Sequence, residues 1–393
     1  MVDKDKNAAL ALSGNWNYPT SIAFGIGKVQ IVPEMCRANG FNNPLLVCDH
    51  GLVDLPFVKT LVEDFSSKSI SLGIFSEVKT NPTGRNVEDG VAVYKQGQHD
   101  AVIALGGGSA LDAAKAIALM IGQNRELWDF EDEGDNWRRV NESQLAPVIA
   151  IPTTSGTGSE VGRASVIVDE SREKKVIIFH PSMMPFQVVC DPQLTVGLPS
   201  AITAATGVDA FVHSFEAYCA PGFHPMADGI ALEAMRLIKE NLVVAYQDGS
   251  DLVARSNMMV ASTMGATAFQ KGLGGVHALA HPLGAIYDKH HGLLNAILLP
   301  YVIQQNLGAI EAKLEVIAGY LQLDKVSATG FLEWIVSWRE SLSIPANLGS
   351  IGISAQRADE IGEFAVNDPS ASGNPVALSA TQYADIFRRA VGC

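Results

Sequence analysis

The sequence predicts two domains of different fold class: an α/β domain over residues 1–198 and an all-helical domain over residues 199–393. Before Pro199, short apolar runs alternate with segments of helical spacing, which is typical of a parallel sheet flanked by helices. After Pro199 the apolar residues recur every 3.6 residues in alanine-rich segments, and no strand alternation persists. A chain of 393 residues also exceeds what one hydrophobic core usually organises.

Composition restricts the classes of partner and the compartment. A net charge of −14, without any Lys/Arg-rich run, argues against a nucleic-acid or anionic-membrane surface and favours small molecules. The N-terminus lacks the basic-then-apolar order of a signal peptide, and no run of about 18 uncharged apolar residues could span a bilayer. Five scattered cysteines without a C-x-x-C pair suit free thiols, so we expect a cytoplasmic protein.

The first half of the chain places an acid at the end of a buried strand. Residues 18–32, with Gly25 and Gly27, suggest a strand hairpin or edge strands. The next apolar run, over residues 44–48, ends in Asp49, at what would be the carboxyl edge of a sheet. An acid there can accept hydrogen bonds from the adenosine ribose and repel a 2′-phosphate, which favours NAD over NADP. A turn-capping aspartate explains the pattern equally well. Further along, a strand over residues 71–75 and a helix over residues 87–96 are expected.

A glycine-rich turn gives the clearest phosphate-binding signal. A strand over residues 100–105 is followed by Gly106, Gly107, Gly108 and Ser109 and then by a helix over residues 110–120. Glycines let backbone N–H groups approach an anion, and the helix N-terminus adds partial positive charge. The turn is not the G-x-G-x-x-G fingerprint, and glycine also serves tight turns that bind nothing. The pattern favours a Rossmann-like nucleotide-binding domain.

A second polar loop follows the next predicted strand, over residues 147–151. Thr153 and Thr154 begin a stretch of hydroxyl residues and glycines that could wrap a phosphate or a ribose, although a plain surface loop has the same composition. Further strands are expected over residues 164–168, 176–179 and 188–190, with Lys175 between the first two. The helical half that follows contains nine predicted segments. They cover residues 201–219, 225–245, 252–269, 276–288, 293–305, 310–321, 328–341, 355–366 and 379–391.

Two clusters in the helical half suggest a metal site. His277 and His281 lie one helical turn apart on an apolar face, and His291 follows ten residues later. Upstream, Asp209 and His213 share a helical face in the same way. For any single histidine of this set, the alternative is a buried core residue whose two ring nitrogens both have hydrogen-bond partners. Carboxylate and imidazole ligands suit Fe²⁺, Zn²⁺, Mn²⁺, Co²⁺ or Ni²⁺. Since the nucleotide loops lie in the other half, we expect a nicotinamide to meet the metal in a cleft between the domains.

Several short motifs, in this order and spacing, resemble the iron-dependent (group III) alcohol dehydrogenases over nearly the full chain. The motifs are Asn81-Pro82-Thr83, Gly106 to Ser109 with Asp112 and Lys115, Thr153 to Glu160, Asp191 to Thr195, Thr206 to His213, His277 to Gly284, and His291-Gly292. The resemblance implies one divalent metal, Fe²⁺ with Zn²⁺ as the alternative, on Asp209, His213, His277 and His291. It places His281 outside the ligand set, close to the nicotinamide and the substrate, and it matches no ligand role to His290. It also implies a homodimer and a set of cofactor contacts. These are Asp49, Asn81, Gly108, Ser109, Thr153, Thr154, Lys175, Leu194 and Leu198.

The leading functional hypothesis is therefore an NAD(P)-dependent oxidoreductase that interconverts a primary alcohol and an aldehyde, with His281 as a proton-relay residue. The alternative is a metal- and NAD-using lyase of the dehydroquinate synthase type. A zinc hydrolase is disfavoured because the sequence from His277 to His281 lacks the glutamate of H-E-x-x-H. A non-catalytic binding module is the weakest reading.

Lys271 suggests a substrate class. It lies six residues before His277, about 9 Å if one helix continued through both, in an apolar neighbourhood where a cation would need an anion. A solvated surface lysine is the alternative. The sequence from Phe269 to Gly274 also resembles the branch of the family that handles ω-hydroxy acids such as 4-hydroxybutyrate. We therefore expect a short acid-tailed alcohol or aldehyde, gripped by Lys271, with Arg163 as a weaker second candidate.

Overall fold

The structure, a computed structural model, describes residues 14–16, 20–172 and 174–392. It divides into two compact units, Met1–Thr154 with Gly158–Val196 and Ser155–Thr157 with Gly197–Cys393. The predicted boundary between residues 198 and 199 lies close to this division and stays a prediction. Parts of two sequence-based expectations, those on Tyr18 and Cys393, lie outside the described residues.

The first unit contains nine strands and five α-helices among its described residues. The strands are β1 Gly14–Trp16, β2 Ser21–Phe24, β3 Leu45–Asp49, β4 Gly73–Val78, β5 Val102–Gly106, β6 Val148–Pro152, β7 Ala164–Asp169, β8 Lys174–Phe179 and β9 Gln187–Cys190. The helices are α1 Val32–Ala38, α2 His50–Val53, α3 Pro56–Ser67, α4 Gly84–Gly97 and α5 Gly108–Met120.

Seven of these strands form one sheet in the order β1-β2-β9-β6-β5-β3-β4, parallel except for the antiparallel pair β1–β2. The central strands β5 and β6 are buried at every position, because helices cover the faces of a parallel sheet. Their continuous apolar runs, with Ile103, Leu105, Ile149 and Ile151 in the core, are the signal from which the sequence predicts them.

Two local features of this unit resolve what the sequence left open. Of the two alternatives for residues 18–32, the antiparallel pair β1–β2 fits the hairpin, and β2 is not an edge strand, since it also pairs with β9. β7 and β8 form a separate antiparallel two-stranded sheet, in which alternate residues are buried. Apolar strand patterns alone do not tell which strands pair, because pairing is decided by tertiary contacts.

The second unit is helical throughout its described residues. Its α-helices are α6 Ser200–Cys219, α7 Pro225–Gln247, α8 Leu252–Ala268, α9 Gly275–Tyr287, α10 His291–Tyr320, α11 Ala328–Ser341, α12 Ala358–Val366 and α13 Ala380–Val391. They enclose one large apolar core, to which α6 contributes Val208, Phe211, Val212 and Phe215. The predicted fold class, an α/β Rossmann-like half followed by an all-helical half, is confirmed.

One helix prediction in this unit is wrong. Residues 293–305 and 310–321 belong to the single helix α10, which runs through Asn306 and Gly308. Glycine inside a helix costs only about 1 kcal/mol, and burial of Ile310, Leu314 and Ile317 offsets that cost.

The same helix is the one described element long and apolar enough to cross a membrane, with a mean hydropathy of 1.3 over its best window. However, 61% of that window is buried inside the protein. A mostly buried core helix passes the same test of length and composition.

Candidate active site

Helix α6 carries three buried ionisable side chains on one face. Asp209, His213 and Glu216 are spaced four and three residues apart, so they point in the same direction along the helix. All three are buried, with 1%, 4% and 4% of their surfaces exposed, respectively. Ionisable groups buried to this degree need charge partners or metal ions.

Glu216 fixes the start of α9, the helix that carries His277 and His281. Its carboxylate accepts hydrogen bonds from the backbone N–H groups of Gly274 at 2.8 Å and Val276 at 2.7 Å. It also lies 2.7 Å from Nδ1 of His277. Since a carboxylate accepts at this ring nitrogen, Nδ1 bears the proton and Nε2 is the unprotonated nitrogen, whose lone pair can accept a hydrogen bond or bind a metal ion.

Burial changes the proton affinity of both partners. It raises the pKa of Glu216 to about 7, against the opposing effect of its backbone donors at Val276 and Gly274. Burial also lowers the pKa of His277 well below its ordinary value, helped by the nearby His213. A neutral imidazole with a bare Nε2 is the form that binds a metal ion.

Helix α10 begins at His291, and its first turn packs tightly against α6. A Cβ atom on Gly292 would lie 2.4 Å from the backbone oxygen of Ala205, so only glycine permits this approach. The close packing brings Nε2 of His291 to 3.7 Å from Oδ1 of Asp209. His290 is the residue that caps the helix.

Three imidazole rings therefore converge on one carboxylate oxygen, that of Asp209. Nε2 lies 4.0 Å from Oδ1 of Asp209 in His213, 3.8 Å in His277 and 3.7 Å in His291. The ligand atoms of Asp209, His213 and His277 all lie within 4.8 Å of one another, and Nδ1 of His213 has no hydrogen-bond partner among the described residues. In His277, at least, the unprotonated Nε2 faces the carboxylate oxygen of Asp209, and the amide nitrogen of Asn295 lies within 3.1 Å of both atoms. This arrangement fits a divalent cation between them.

His281 is held in place by a carboxylate, that of Asp368. Its Nδ1 lies 2.9 Å from Oδ2 of Asp368, the residue that caps the short 3₁₀ helix Pro369–Gly373. Burial acts to raise the pKa of Asp368, but the charge and hydrogen bond of His281 lower it below its ordinary value. An ionised Asp368 orients the His281 ring, whose centroid stacks 5.4 Å from that of His291.

Lys271 is not on a helix continuous with His277, contrary to the premise of the distance estimate. Helix α8 ends at Ala268, and Gly272 adopts a φ of +142° that breaks the helix before α9 begins. The Lys271 side chain is only 4% exposed, and its ammonium nitrogen lies 2.5 Å from Oδ1 of Asp228. The apolar neighbourhood predicted for this cation therefore contains an anion of the protein itself.

In the first unit, the predicted cofactor residues lie at the carboxyl ends of adjacent strands. Thr153, after β6, donates its backbone N–H to Gly106 O at 2.9 Å. Gly106 has a φ of +145°, and a Cβ there would lie 3.6 Å from a carboxylate oxygen of Asp49. A Cβ on Gly107 would lie 3.3 Å from the Thr154 side chain. Ligands of open α/β sheets bind at this edge.

The other predicted cofactor residues are dispersed over the first unit, except Leu198, which belongs to the second unit. Gly108 and Ser109 form the first turn of α5, and Ser109 donates its hydroxyl to the carbonyl of Thr80, next to Asn81. Lys175 lies on β8, outside the main sheet. Leu194 lies in the 3₁₀ turn after β9, and Leu198 precedes α6.

The motif residues Asp112 and Lys115 stabilise the second polar loop rather than facing a strand edge. The ammonium group of Lys115 is buried and donates to the carbonyls of Ser159 at 3.0 Å and of Ala164. Asp112 accepts from the hydroxyl of Ser159 and, at 2.9 Å, from the backbone N–H of Val166. These contacts tie α5 to the end of the loop that follows β6.

Three residues around the candidate metal site were not identified from the sequence: Glu216, Asn295 and Asp368. Glu216 had a usable signal, because it continues the i, i+4, i+7 face begun by Asp209 and His213. Asn295 lies one turn after His291 and could have been noticed in the same way. Asp368 lies 87 residues from His281, and no spacing rule connects the two.

An open parallel sheet with glycine turns and a helical unit with a buried carboxylate–histidine centre define a class of nucleotide-linked metalloenzyme. Residues 19–192 match the family description "Iron-containing alcohol dehydrogenase". Residues 203–391 match "Fe-containing alcohol dehydrogenase family, C-terminal". The chain belongs to the iron-containing alcohol dehydrogenase family, as the motifs predict.

Individual relatives agree with this assignment. The chain is 36% identical over 376 residues to 4-hydroxybutyrate dehydrogenase from Cupriavidus necator, covering 93% of this chain and 97% of the relative. It is 36% identical over 379 residues to 1,3-propanediol dehydrogenase from Klebsiella pneumoniae, covering 93% and 96%. A crystal structure of 1,3-propanediol oxidoreductase superposes with a TM-score of 0.88 at 34% identity, covering 94% of this chain and 97% of that one. The protein is thus an alcohol dehydrogenase, and the alternative of a dehydroquinate synthase-type lyase finds no support in these relatives.

Proposed function

We propose that this dehydrogenase works with one divalent metal ion, Fe²⁺ in preference to Zn²⁺, bound by Asp209, His213, His277 and His291. The observation that carries the proposal is the convergence of three imidazole Nε2 atoms on one buried carboxylate oxygen, at 3.7–4.0 Å. Such a mixed oxygen and nitrogen donor set suits borderline divalent ions.

When bound, the metal ion would act as a Lewis acid toward the substrate oxygen, and the nicotinamide would exchange the hydride. The chain itself would move the proton. Asp368 holds Nδ1 of His281, which leaves Nε2 of that ring as the atom that accepts a proton from the alcohol or returns it to the aldehyde.

We propose NAD(H) as the cofactor, bound along the carboxyl ends of β6, β5, β3 and β4. Support comes from the glycine turn at the start of α5 and from Asp49, whose carboxylate lies close to that turn. A fixed negative charge there would repel the 2′-phosphate of NADP. Asn81, Ser109, Thr153, Thr154, Lys175, Leu194 and Leu198 would contribute the remaining contacts.

A finer proposal concerns the substrate, which we take to be a short ω-hydroxy acid and its semialdehyde. Its support is the similarity to 4-hydroxybutyrate dehydrogenase and the buried ammonium group of Lys271. Because Asp228 already pairs with this ammonium, a substrate carboxylate would have to share it. We therefore expect a modest preference for the acid over an uncharged aldehyde.

The substrate test compares kcat/KM for succinic semialdehyde and butanal. The acid should be favoured in the unaltered protein, more strongly in Asp228→Asn, and no longer in Lys271→Met. Arg163→Met, which changes the second candidate cation, is the matched control and should keep the preference. An acid preference that survives Lys271→Met would contradict the role given to this lysine.

The metal and cofactor are tested on metal-stripped protein. Addition of Fe²⁺ or Zn²⁺ should restore NADH formation from a primary alcohol, with one ion bound per chain by elemental analysis. Activity of the stripped protein equal to that of the reconstituted protein would refute the metal centre. The buried cysteines Cys36, Cys48, Cys190 and Cys219 form no disulfide, which supports a reducing compartment, so we propose a cytoplasmic enzyme. By family resemblance we also propose a homodimer.

A further inference from the structure

Asn295 contacts three of the four proposed metal ligands with one side chain. It lies on α10 one turn after His291 and is 0% exposed. Its Nδ2 atom lies 2.6 Å from Oδ1 of Asp209 and 3.1 Å from Nε2 of both His277 and His291.

The chemistry of Asp209 decides which end of the amide faces the ligands. An ionised carboxylate only accepts hydrogen bonds, so the amide group at 2.6 Å must be the NH₂ donor. An amide has two hydrogens, and the shortest contact, to a charged acceptor, is the strongest of the three. Asn295 therefore bonds primarily to Asp209, whereas its longer contacts with the two imidazoles use Nε2 lone pairs that a bound metal ion would take.

The oxygen end of the Asn295 amide indicates that contacts with the proposed ligands determine the orientation of this side chain. Oδ1 of Asn295 is buried and has no hydrogen-bond partner among the described residues. Leaving a buried acceptor unpaired is unfavourable, so the NH₂ contacts must offset that cost. The residue is thus held by the ligand set rather than by the surrounding core.

We propose that Asn295 is a positioning residue of the metal centre. Its amide N–H holds the Asp209 carboxylate in the direction at which Oδ1 meets the imidazole Nε2 atoms. This inference rests on the ligand set proposed above. Outer hydrogen-bond partners of metal ligands typically change metal affinity by 10- to 100-fold.

The test uses Asn295→Leu, which keeps the side-chain volume and removes the amide. Co²⁺ is added to the full-length, metal-stripped protein in competition with a chromophoric chelator, and its visible absorption bands are recorded. We expect Co²⁺ to bind about 10- to 100-fold more weakly, with shifted bands, because the carboxylate is no longer oriented.

Asn306→Leu is the matched control. Asn306 is a buried asparagine on the same helix, and its amide pairs with Asn374 and with no proposed ligand. This variant should lower the thermal midpoint while leaving the Co²⁺ affinity and spectrum unchanged. If Asn295→Leu fails to fold, Asn295→Ala is measured instead, with the same expectation.

The outcomes separate the two proposals. If the unaltered protein does not bind one Co²⁺ per chain, the metal centre itself is wrong. If the unaltered protein binds Co²⁺ and the folded Asn295 variant binds it as tightly or more tightly with the same spectrum, only the role of Asn295 is overturned.

Discussion

The two units of this protein arrange their candidate functional residues by different means. In the α/β unit, Asp49, Gly106 and Thr153 come together because neighbouring parallel strands end at one edge, so the backbone sets their positions. In the helical unit, Asp209 and His277 meet because side chains such as Glu216 hold the helices in register. Backbone placement tolerates side-chain changes, whereas side-chain placement depends on a few buried polar contacts. Substitutions should therefore be more damaging in the helical unit.

The largest effect is expected from the proposed metal ligands. His277→Ala or His291→Ala should reduce the metal content from about one ion per chain to nearly none. His281→Ala should retain the metal, because Asp368 rather than the metal holds that ring, and lose about 10²- to 10⁴-fold in kcat through loss of the proton relay. Elemental analysis of the purified variants shows which of these histidines bind the metal and which do not. An empty site in His281→Ala would mean that His281 is itself a ligand.

The second-largest effect is expected where helix α10 packs closely against helix α6. Gly292→Ala should lower the free energy of unfolding by about 1–3 kcal/mol, since its Cβ would meet a backbone oxygen that cannot easily move. Gly308→Ala, on the same helix, meets nothing within 4 Å and should instead raise it by about 0.4–1 kcal/mol. Thermal unfolding of the two metal-stripped variants makes the comparison. Equal changes in the free energy of unfolding for the two variants would show that the contact between Gly292 and Ala205 does not stabilise the protein.

A smaller effect is expected at the strand edge of the α/β unit. Asp49→Gly should narrow the preference for NADH over NADPH by about fivefold, because one like-charge interaction screened by bulk water amounts to about 1 kcal/mol. The ratio of kcat/KM for the two cofactors measures it. Equal values in the unaltered protein would refute the role of Asp49.

The smallest effect concerns a buried histidine of the same unit. His180 accepts the backbone N–H of Ser182 at Nδ1, and burial lowers its pKa below the ordinary 6.5. The unfolded chain therefore binds a proton first as the pH falls through 6.5, and stability is lost down to the lower, folded-state pKa. The slope should be at most about 1.4 kcal/mol per pH unit. His180→Asn should flatten the dependence of unfolding free energy between pH 7.5 and 5.5; an unchanged slope would assign it to other groups.

The sequence by itself determined the fold class, the family and most individual elements. Local patterns can be read from the sequence alone. Examples are the continuous apolar runs of β5 and β6 and the helical spacing of Asp209, His213, His277 and His281. The glycine turn before α5 was visible for the same reason.

Only the tertiary structure decided how these elements support one another. Glu216 on His277, Asp368 on His281 and Asn295 on Asp209 join residues 61, 87 and 86 positions apart, and no periodicity links such distant residues. Lys271 was assigned to a substrate anion from its apolar surroundings, yet Asp228, 43 residues away, lies against its ammonium group. The continuity of α10 through Gly308 was likewise settled by packing, because burial of an apolar face outweighs the weak helix propensity of one glycine.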